Sequence, residues 1–308
     1  SEDLLYAVPV PEQAGVSNTT VTMNAASMNN SGFEFSATYR NRDHDFKYEV
    51  SANLSTLRNR VTSLGFGTDS YISGSYITKV GEEIGQFYGW VYEGIARTQE
   101  VLDNHATQEG AQIGDCLYKD VNNDGKVDSE DQVVLGSGMP KINFGLNARF
   151  EYKRFDLSIA TFGALNYHVS DDIYNSLNSC YGWGNKEVGM LDANRFSEDG
   201  STYLSNVPRT YVTNSASLGW NDLFSSRKIQ NAAYWKIANV ELGYNFPDKW
   251  FDKYVSDVRF YISAQNLHTF TGYHGYNVDY AGGTFTPGYN FCSYPTARTF
   301  MCGVHFTF

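Results

Sequence analysis

The stretch TFMCGVHFTF, Thr299–Phe308, decides the fold class. Alternate residues from Phe300 to Phe308 are apolar, and apart from Met301 the residues between them are small or polar. Alternation over ten residues, ending on an aromatic side chain, is typical of a strand that crosses an outer membrane in a β-barrel. The edge of a soluble β-sandwich alternates too, so the recurrence of the pattern and the arrangement of the gaps must decide between the two.

The composition favours an all-β chain with many loops. The 308 residues include 23 Tyr, 20 Phe and 28 Gly but only 7 Pro. No run approaches the ~18 apolar residues that a membrane-spanning helix needs, whereas a barrel strand needs an apolar residue only at every second position. The net charge of -11 argues against a nucleic-acid partner.

The alternating pattern recurs seven times. The predicted strands cover residues 31–39, 46–54, 141–152, 155–163, 234–246, 258–270 and 299–308. Because a slip of one residue would exchange the two faces of a strand, each pattern also predicts which side chains face lipid. The predicted lipid-facing residues are Phe33, Phe35, Ala37, Ile142, Phe144, Leu146, Ala148, Phe150, Ala238, Val240, Leu242, Tyr244, Phe300, Cys302, Val304 and Phe306.

Short and long connections alternate along the chain. The long connections cover residues 55–140, 164–233 and 271–297, and the others are at most about a dozen residues long. Short periplasmic turns and long extracellular loops are the rule in outer-membrane barrels. Seven strands are an odd number and would leave two open edges in lipid, so we expect them to belong to a larger barrel.

Several segments carry a family resemblance. The segments are NAASMNNSGFEFSATYRN (24–41), IGQFYGWVYEGI (84–95), GDCLYKDVNNDGKVDSEDQVVLGSGMPKINFGLN (114–147), YWKIANVELGYNFP (234–247), VRFYISAQNLHTFTGYHGYNVD (258–279) and YPTARTFMCGVHFTF (294–308). As a set, in this order, they resemble the C-terminal portion of SusC/RagA-type TonB-dependent transporters of the Bacteroidetes. Ala26 stands where that family usually has glycine, and Lys236 where it usually has arginine.

The resemblance implies a barrel of about 22 strands with a plugged lumen. Residues 1–308 would form its C-terminal portion, with the plug domain, the upstream strands and the TonB-contacting segment outside this chain. The whole protein is then expected to be an outer-membrane importer of oligosaccharides or peptides rather than an enzyme. Its expected partners are TonB, membrane lipid, the substrate and a SusD-like surface lipoprotein docked on the long loops.

Two other functions stay open at this stage. One is an outer-membrane adhesin or structural barrel without coupling to TonB. The other is a secreted β-rich glycan-binding module with a dockerin-like calcium loop, which would be soluble without detergent.

One loop has the spacing of a calcium site. Oxygen-bearing residues occupy positions 1, 3, 5 and 12 of a twelve-residue EF-hand-type loop, with glycine at position 6. The predicted ligands of a structural Ca²⁺ are Asp120, Asn122, Asp124, the carbonyl of Lys126, and Asp131. The alternative is an Asn/Asp/Gly-rich turn that folds without metal through its own side-chain hydrogen bonds.

Aromatic residues in the long connections are candidate contacts for substrate or partner. They are Tyr181, Trp183, Trp220, Tyr273 and Tyr276. The alternative is packing within the loops. No arrangement of serine, histidine and carboxylate residues indicates catalysis, and the six histidines are scattered.

The four cysteines form no CxxC pair, which argues against zinc or thioredoxin-like chemistry. Cys302 is expected to be a free thiol on the lipid face. Cys180 and Cys292 lie in different long connections, which are predicted to be extracellular. Because that location is oxidising, a disulfide between the two cysteines is an open alternative.

Overall fold

The computed structural model describes residues 4–9, 20–64, 68–180, 184–210, 216–247, 250, 257–279 and 282–307. Within these ranges the chain is almost entirely β-strand and connection, with two helices of five and six residues. The all-β prediction is confirmed. Among the described residues, no helix has the length and apolar character needed to cross a membrane.

The strands in chain order are β1 (Leu4–Pro9), β2 (Thr20–Ser31), β3 (Glu34–Asn41), β4 (Phe46–Thr56), β5 (Arg58–Ser63), β6 (Ser70–Ser73), β7 (Tyr76–Lys79), β8 (Gln86–Gly89), β9 (Tyr92–Ile95), β10 (Cys116–Tyr118), β11 (Val133–Ser137), β12 (Ile142–Tyr152), β13 (Phe155–Leu165), β14 (His168–Asp171), β15 (Gln230–Asn231), β16 (Tyr234–Asn245), β17 (Asp257–Thr271), β18 (Tyr289–Asn290) and β19 (Thr299–Thr307). The helices are α1 (Gln99–Asp103) and α2 (Asp172–Leu177), and 3₁₀ helices of three to seven residues lie between the strands.

The seven predicted strands form one antiparallel sheet. Its order is β3, β4, β12, β13, β16, β17 and β19, so each strand pairs with the next in sequence among the seven. The first strand begins at Glu34 rather than at the predicted Ser31, because the pairing is interrupted around Gly32. There the backbone N–H of Phe33 donates to the side chain of Thr56 (2.9 Å).

The register separates an apolar from a polar face. Residues directly opposite one another on neighbouring antiparallel strands point to the same side. One row across the sheet contains Tyr39, Val50, Ala148, Ile159, Val240, Ala264 and Phe300. The row beside it, on the other face, contains Arg40, Glu49, Arg149, Ser158, Glu241, Ser263 and Met301. Asn143 and Asn147 share the face of Arg149, so the predicted division into faces is confirmed on β12.

A register shift in β16 changes the predicted alternation at one point. Ile237 pairs with Thr161 and Asn239 with Ala160, which leaves Ala238 without a partner. A β-bulge inserts one residue, so the side chains before it exchange faces. Lys236 therefore lies on the polar face, where its Nζ lies 2.6 Å from a carboxylate oxygen of Asp279.

The long connections are folded units with their own short strands. Beyond the seven-stranded sheet, β2 and β5 continue the β3–β4 hairpin, and β1 adds a third strand to that extension. Three further small sheets have the orders β11-β8-β7-β6, β10-β9 and β15-β14-β18. Most of these strands have two to six residues. Such short segments contain too few alternations of apolar and polar residues to be recognised in the sequence.

Buried side chains are concentrated in these units rather than in the seven-stranded sheet. The largest fully buried side chains are Tyr118, Tyr203, Phe87, Val61, Val169, Asn221, Asp115, Asp131, Pro208, Cys116, Cys180 and Ser205. None of them lies in the seven strands, where large side chains such as Phe35, Leu146 and Val304 are about half exposed. The protein core therefore lies in the connections. The apolar face of the sheet is not covered by other described parts of the chain.

Candidate functional site in the long connections

The predicted calcium loop folds around its own side chains. Asp120 accepts hydrogen bonds from the backbone N–H groups of Asn123 (2.6 Å) and Gly125 (2.9 Å). Asn122 accepts from the N–H of Asp124, and Asp124 accepts from the N–H of Lys126, each at 2.9 Å. Gly125 has φ +86°, a left-handed conformation that glycine adopts at little cost. These bonds shape the turn through side chains of the loop itself.

Asp131 closes the loop from inside. It is fully buried, and its carboxylate accepts from the N–H groups of Val121 (2.8 Å) and Asp128 (2.9 Å). With Asp128 it forms a capping box around a short 3₁₀ turn. Burial acts to raise the pKa of Asp131, but the backbone donors, which include the N–H of Asn122, outweigh it and hold the pKa below its usual value.

The fit of this loop to calcium is incomplete. Asn122, Asp124 and Lys126 are exposed, whereas the two oxygens of Asp131 already accept backbone N–H groups. Across the described part of the chain, no three His, Cys, Asp or Glu side chains come together as a metal site. Asn122 and the Lys126 carbonyl are outside that set of residue types, so the calcium prediction stays untested.

Of the predicted aromatic contacts, Trp220 lines a groove. Its indole N–H donates to the carbonyl of Glu109 (2.8 Å), and that of Trp90 donates to the carbonyl of Asp128 (2.9 Å). Both indoles contact the ring of buried Tyr118, with centroids 6.2 Å and 6.5 Å away. The groove between them has a volume of about 610 Å³. It lies directly beside the Asp120–Asp131 loop, a juxtaposition that no sequence pattern indicated.

The other aromatic predictions have different outcomes. Tyr273 is 6% exposed, packs in a hydrophobic cluster with Tyr167 and Val169, and donates its hydroxyl to Asp171. The ligand-contact role is therefore corrected to a packing role for Tyr273. Tyr276 is 68% exposed, and its role as a contact for substrate or partner stays a prediction. Tyr181 and Trp183 lie outside the described residues.

A buried ion pair, which sequence reasoning missed, holds the connections together. The guanidinium of Arg209 contacts both carboxylate oxygens of Asp115, each at 3.0 Å. Asn221 donates to the same carboxylate (2.8 Å) and accepts from the N–H of Cys116 (2.7 Å). The network joins the first long connection to the second. Nothing in the local sequence distinguishes Asp115 from the many exposed acidic residues.

A second group of charges lies on the polar face of the sheet. Arg259 on β17 contacts Asp156 on β13 and Glu241 on β16. Gly243 leaves space for this group, since a Cβ atom there would lie 2.3 Å from the guanidinium and 2.4 Å from the Asp156 carboxylate. In a barrel, the polar face is the one that meets the lumen.

All four cysteines are free thiols. The alternative of a Cys180–Cys292 disulfide is not realised, because both thiols are free, Cys180 in a buried and Cys292 in an exposed position. Cys302 is free and exposed on the apolar face, as predicted. Burial raises the pKa of Cys116 to about 11 and that of Cys180 to about 12, which makes both thiols inert near neutral pH.

Comparisons with known proteins show which proteins this chain is similar to. No family model matches the chain. It is 30% identical to TonB-dependent receptor P3 of Formosa agariphila and 25% identical to TonB-dependent receptor SusC of Bacteroides thetaiotaomicron, and both matches cover the whole chain. The chain spans about a third of the length of these relatives (31% and 29%).

Solved structures show the same fold. The RagAB peptide transporter matches with a TM-score of 0.78 at 21% identity, over the whole chain and 32% of the solved one. The RagAB peptide importer in its open-open state matches with a TM-score of 0.73 at 22% identity, over 31% of that chain. The resemblance in sequence and the all-β barrel architecture thus agree. Over its whole length the chain is similar to about a third of TonB-dependent receptors such as SusC, and its fold is that of a segment of the RagAB β-barrel.

Proposed function

We propose that this chain is part of an outer-membrane importer that takes up oligosaccharides or peptides under TonB control. The observation that carries the proposal is the seven-stranded sheet, whose register maintains one apolar face from β3 to β19. Such a sheet is stable when lipid covers that face and further strands complete the barrel. The names of the curated relatives support a receptor coupled to TonB.

Uptake by intact cells tests the proposal. Cells that carry the full-length gene should accumulate labelled oligosaccharides or peptides, and a protonophore or loss of TonB should abolish the accumulation. If disruption of the gene leaves uptake unchanged and abolishes adhesion, the structural barrel is the correct function. If the protein fractionates without detergent, the secreted glycan-binding module is correct.

The long connections are the proposed docking surface for a SusD-like lipoprotein. Ordering such long loops costs conformational entropy, which packing of the connections and a docked partner together offset. Small hydrophobic clusters already organise the first connection, for example Val61, Leu64 and Ile84. The partner would then dock on a largely preformed surface.

Calcium would add rigidity to that surface by bridging the exposed oxygens of the Asp120–Asp131 loop. Co-purification of the full transporter with its lipoprotein, with and without chelator, tests this role. We expect Asp120→Ala or chelation to lower the yield of the complex, whereas Glu130→Gln, a nearby exposed residue outside the predicted ligands, should not. Unchanged yield after Asp124→Ala, with the loop still ordered, would remove calcium from the proposal.

A further inference from the structure

The groove between the two tryptophans has the features of a ligand site. Trp90 and Trp220 form its walls together with Leu223, and Glu109 and Ser129 lie at its polar edge. Both indole N–H groups already donate to backbone carbonyls, which holds the rings in place before any ligand arrives. A volume of about 610 Å³ lies within the ~300–1,000 Å³ that is typical of small-molecule sites.

The edge of the groove carries free hydrogen-bonding groups. Among the described residues, neither the Glu109 carboxylate nor the Ser129 hydroxyl has a hydrogen-bond or ion-pair partner, and both residues are exposed. Asp128, the other acidic residue of the lining, uses its carboxylate to accept from the N–H of Glu130 (2.8 Å) and, in the capping box, from that of Asp131. The groove therefore offers several acceptors and one hydroxyl beside two fixed aromatic walls.

The charge of the lining limits the ligand class. Two carboxylates and no lysine or arginine line the groove, so an acidic ligand would be repelled. A lone ammonium group would fill little of this open groove, and cation–π attraction at exposed sites adds only ~0.5–1 kcal/mol. A neutral sugar ring matches both the aromatic walls and the carboxylate acceptors of the groove. Its C–H face packs on an indole, and its hydroxyls donate to carboxylates.

We infer that this groove, which we call the Trp90–Trp220 groove, binds a neutral oligosaccharide through ring stacking and hydrogen bonds to Glu109. The inference rests on the proposed function, since it names the cargo class that an importer would hold outside the membrane. The Asp120–Asp131 loop contributes Asp128 and Ser129 to the lining, so the loop positions one side of the site.

Calorimetry on the full-length transporter in detergent tests the inference. The probes are maltotriose, cellotriose and xylotriose, with trigalacturonic acid and tri-lysine as charged counterparts. We expect a neutral trisaccharide to bind and the acidic one not to bind. Glu109→Gln should weaken binding by about tenfold or more, since it removes the charge from a hydrogen-bond acceptor. It leaves intact the Glu109 carbonyl that holds Trp220.

One further variant tests the ring and another is a control. Trp220→Phe keeps an apolar ring but reduces the stacking area and removes the hydrogen bond to the Glu109 carbonyl, so it should weaken binding by about threefold or more. Glu130→Gln removes the same charge from an exposed residue outside the groove and should leave affinity unchanged. As a check on folding, the amide hydrogen exchange of residues 105–131 in each of the three variants should match that of the wild type.

Each contrary result overturns the inference. Such results are the absence of binding by every neutral trisaccharide, binding by tri-lysine alone, or neutral binding that Glu109→Gln leaves intact. Binding in detergent needs neither TonB nor a membrane potential. It can therefore fail while energised uptake succeeds, and intact binding without uptake would contradict only the proposed function.

Discussion

The seven-stranded sheet and the long connections are stabilised in opposite ways. Along β3 every side chain except that of Asn41 is exposed, and the sheet is held by backbone pairing in a continuous register. The connections contain all of the largest fully buried side chains and satisfy their polar groups through networks such as that of Asp115. The difference shows that the connections carry their own protein core, whereas the apolar face of the sheet has no protein cover among the described residues.

The largest expected effect tests the core of the connections. Asp115→Ala should leave the Arg209 guanidinium, whose side chain is only 19% exposed, without its counter-charge. We expect a local destabilisation of about 3 kcal/mol, seen as faster hydrogen exchange in residues 112–116 and 194–210. Glu49→Ala, which removes a charge from an ion pair on the polar face of the sheet, should produce no comparable change. Equal exchange in wild type and the Asp115 variant would show that the pair contributes nothing.

The second prediction tests the dependence of the sheet on lipid. Leu146→Arg should destabilise the full-length protein in vesicles by about 2–4 kcal/mol, because it places a charge on the lipid face near mid-membrane. Denaturant unfolding followed by tryptophan fluorescence measures the change. Asn147→Arg, one residue away on the polar face, is the matched control and should be nearly neutral. Equal costs at the two positions would contradict the assignment of the faces.

The third prediction separates the interior of the calcium-like loop from its exterior. In the presence of chelator, Asp131→Ala should raise the exchange rate of amides 120–131, at a cost of about 1–3 kcal/mol, because it leaves buried N–H groups without an acceptor. Asp124→Ala, which removes one exposed acceptor, should cost less. The reverse order would indicate that the exposed oxygens hold the loop together.

The pH dependence of this loop follows from the lowered pKa of Asp131. A carboxyl group with a lowered pKa in the folded state contributes stability above its unfolded pKa, near 3.9, and loses it as the pH falls through the folded value. The loop should therefore keep its protection from neutral pH down to about pH 4 and lose it below that. Protection lost already at pH 5 to 6 would indicate that a different group controls the loop.

The smallest expected effect is on the labelling of the four cysteines, which measures how buried each thiol is without a change to the sequence. Cys116 and Cys180 should resist maleimide at neutral pH, because both are buried and have raised pKa values. Cys292 should react with a charged, water-soluble reagent. Cys302 should react only with a membrane-permeant reagent when the protein is in vesicles. Rapid labelling of Cys180 would show that the connections open readily.

The contrast between the two regions also explains which features could be predicted. All seven strands of the sheet, and their faces except at the start of β16, are predicted by the sequence, because alternation is a local pattern. The bulge at Ala238 is not visible, since a register shift depends on the partner strand. Of the predicted aromatic contacts, Trp220 lines the groove and its contact role stays a prediction, whereas Tyr273 is a packing residue.

Residue order alone was sufficient to predict the all-β class and the alternation of the seven strands, because each depends on short local segments, and the order of several such segments carried the resemblance to SusC/RagA-type receptors. The Trp90–Trp220 groove and the Asp115–Arg209 pair required the folded chain. Asp115 and Arg209 are 94 positions apart, and the hydrogen bond from Trp220 to Glu109 spans 111 positions. Contacts across such distances in sequence form only when the strands bring the connections together, and no local pattern records which residues will meet.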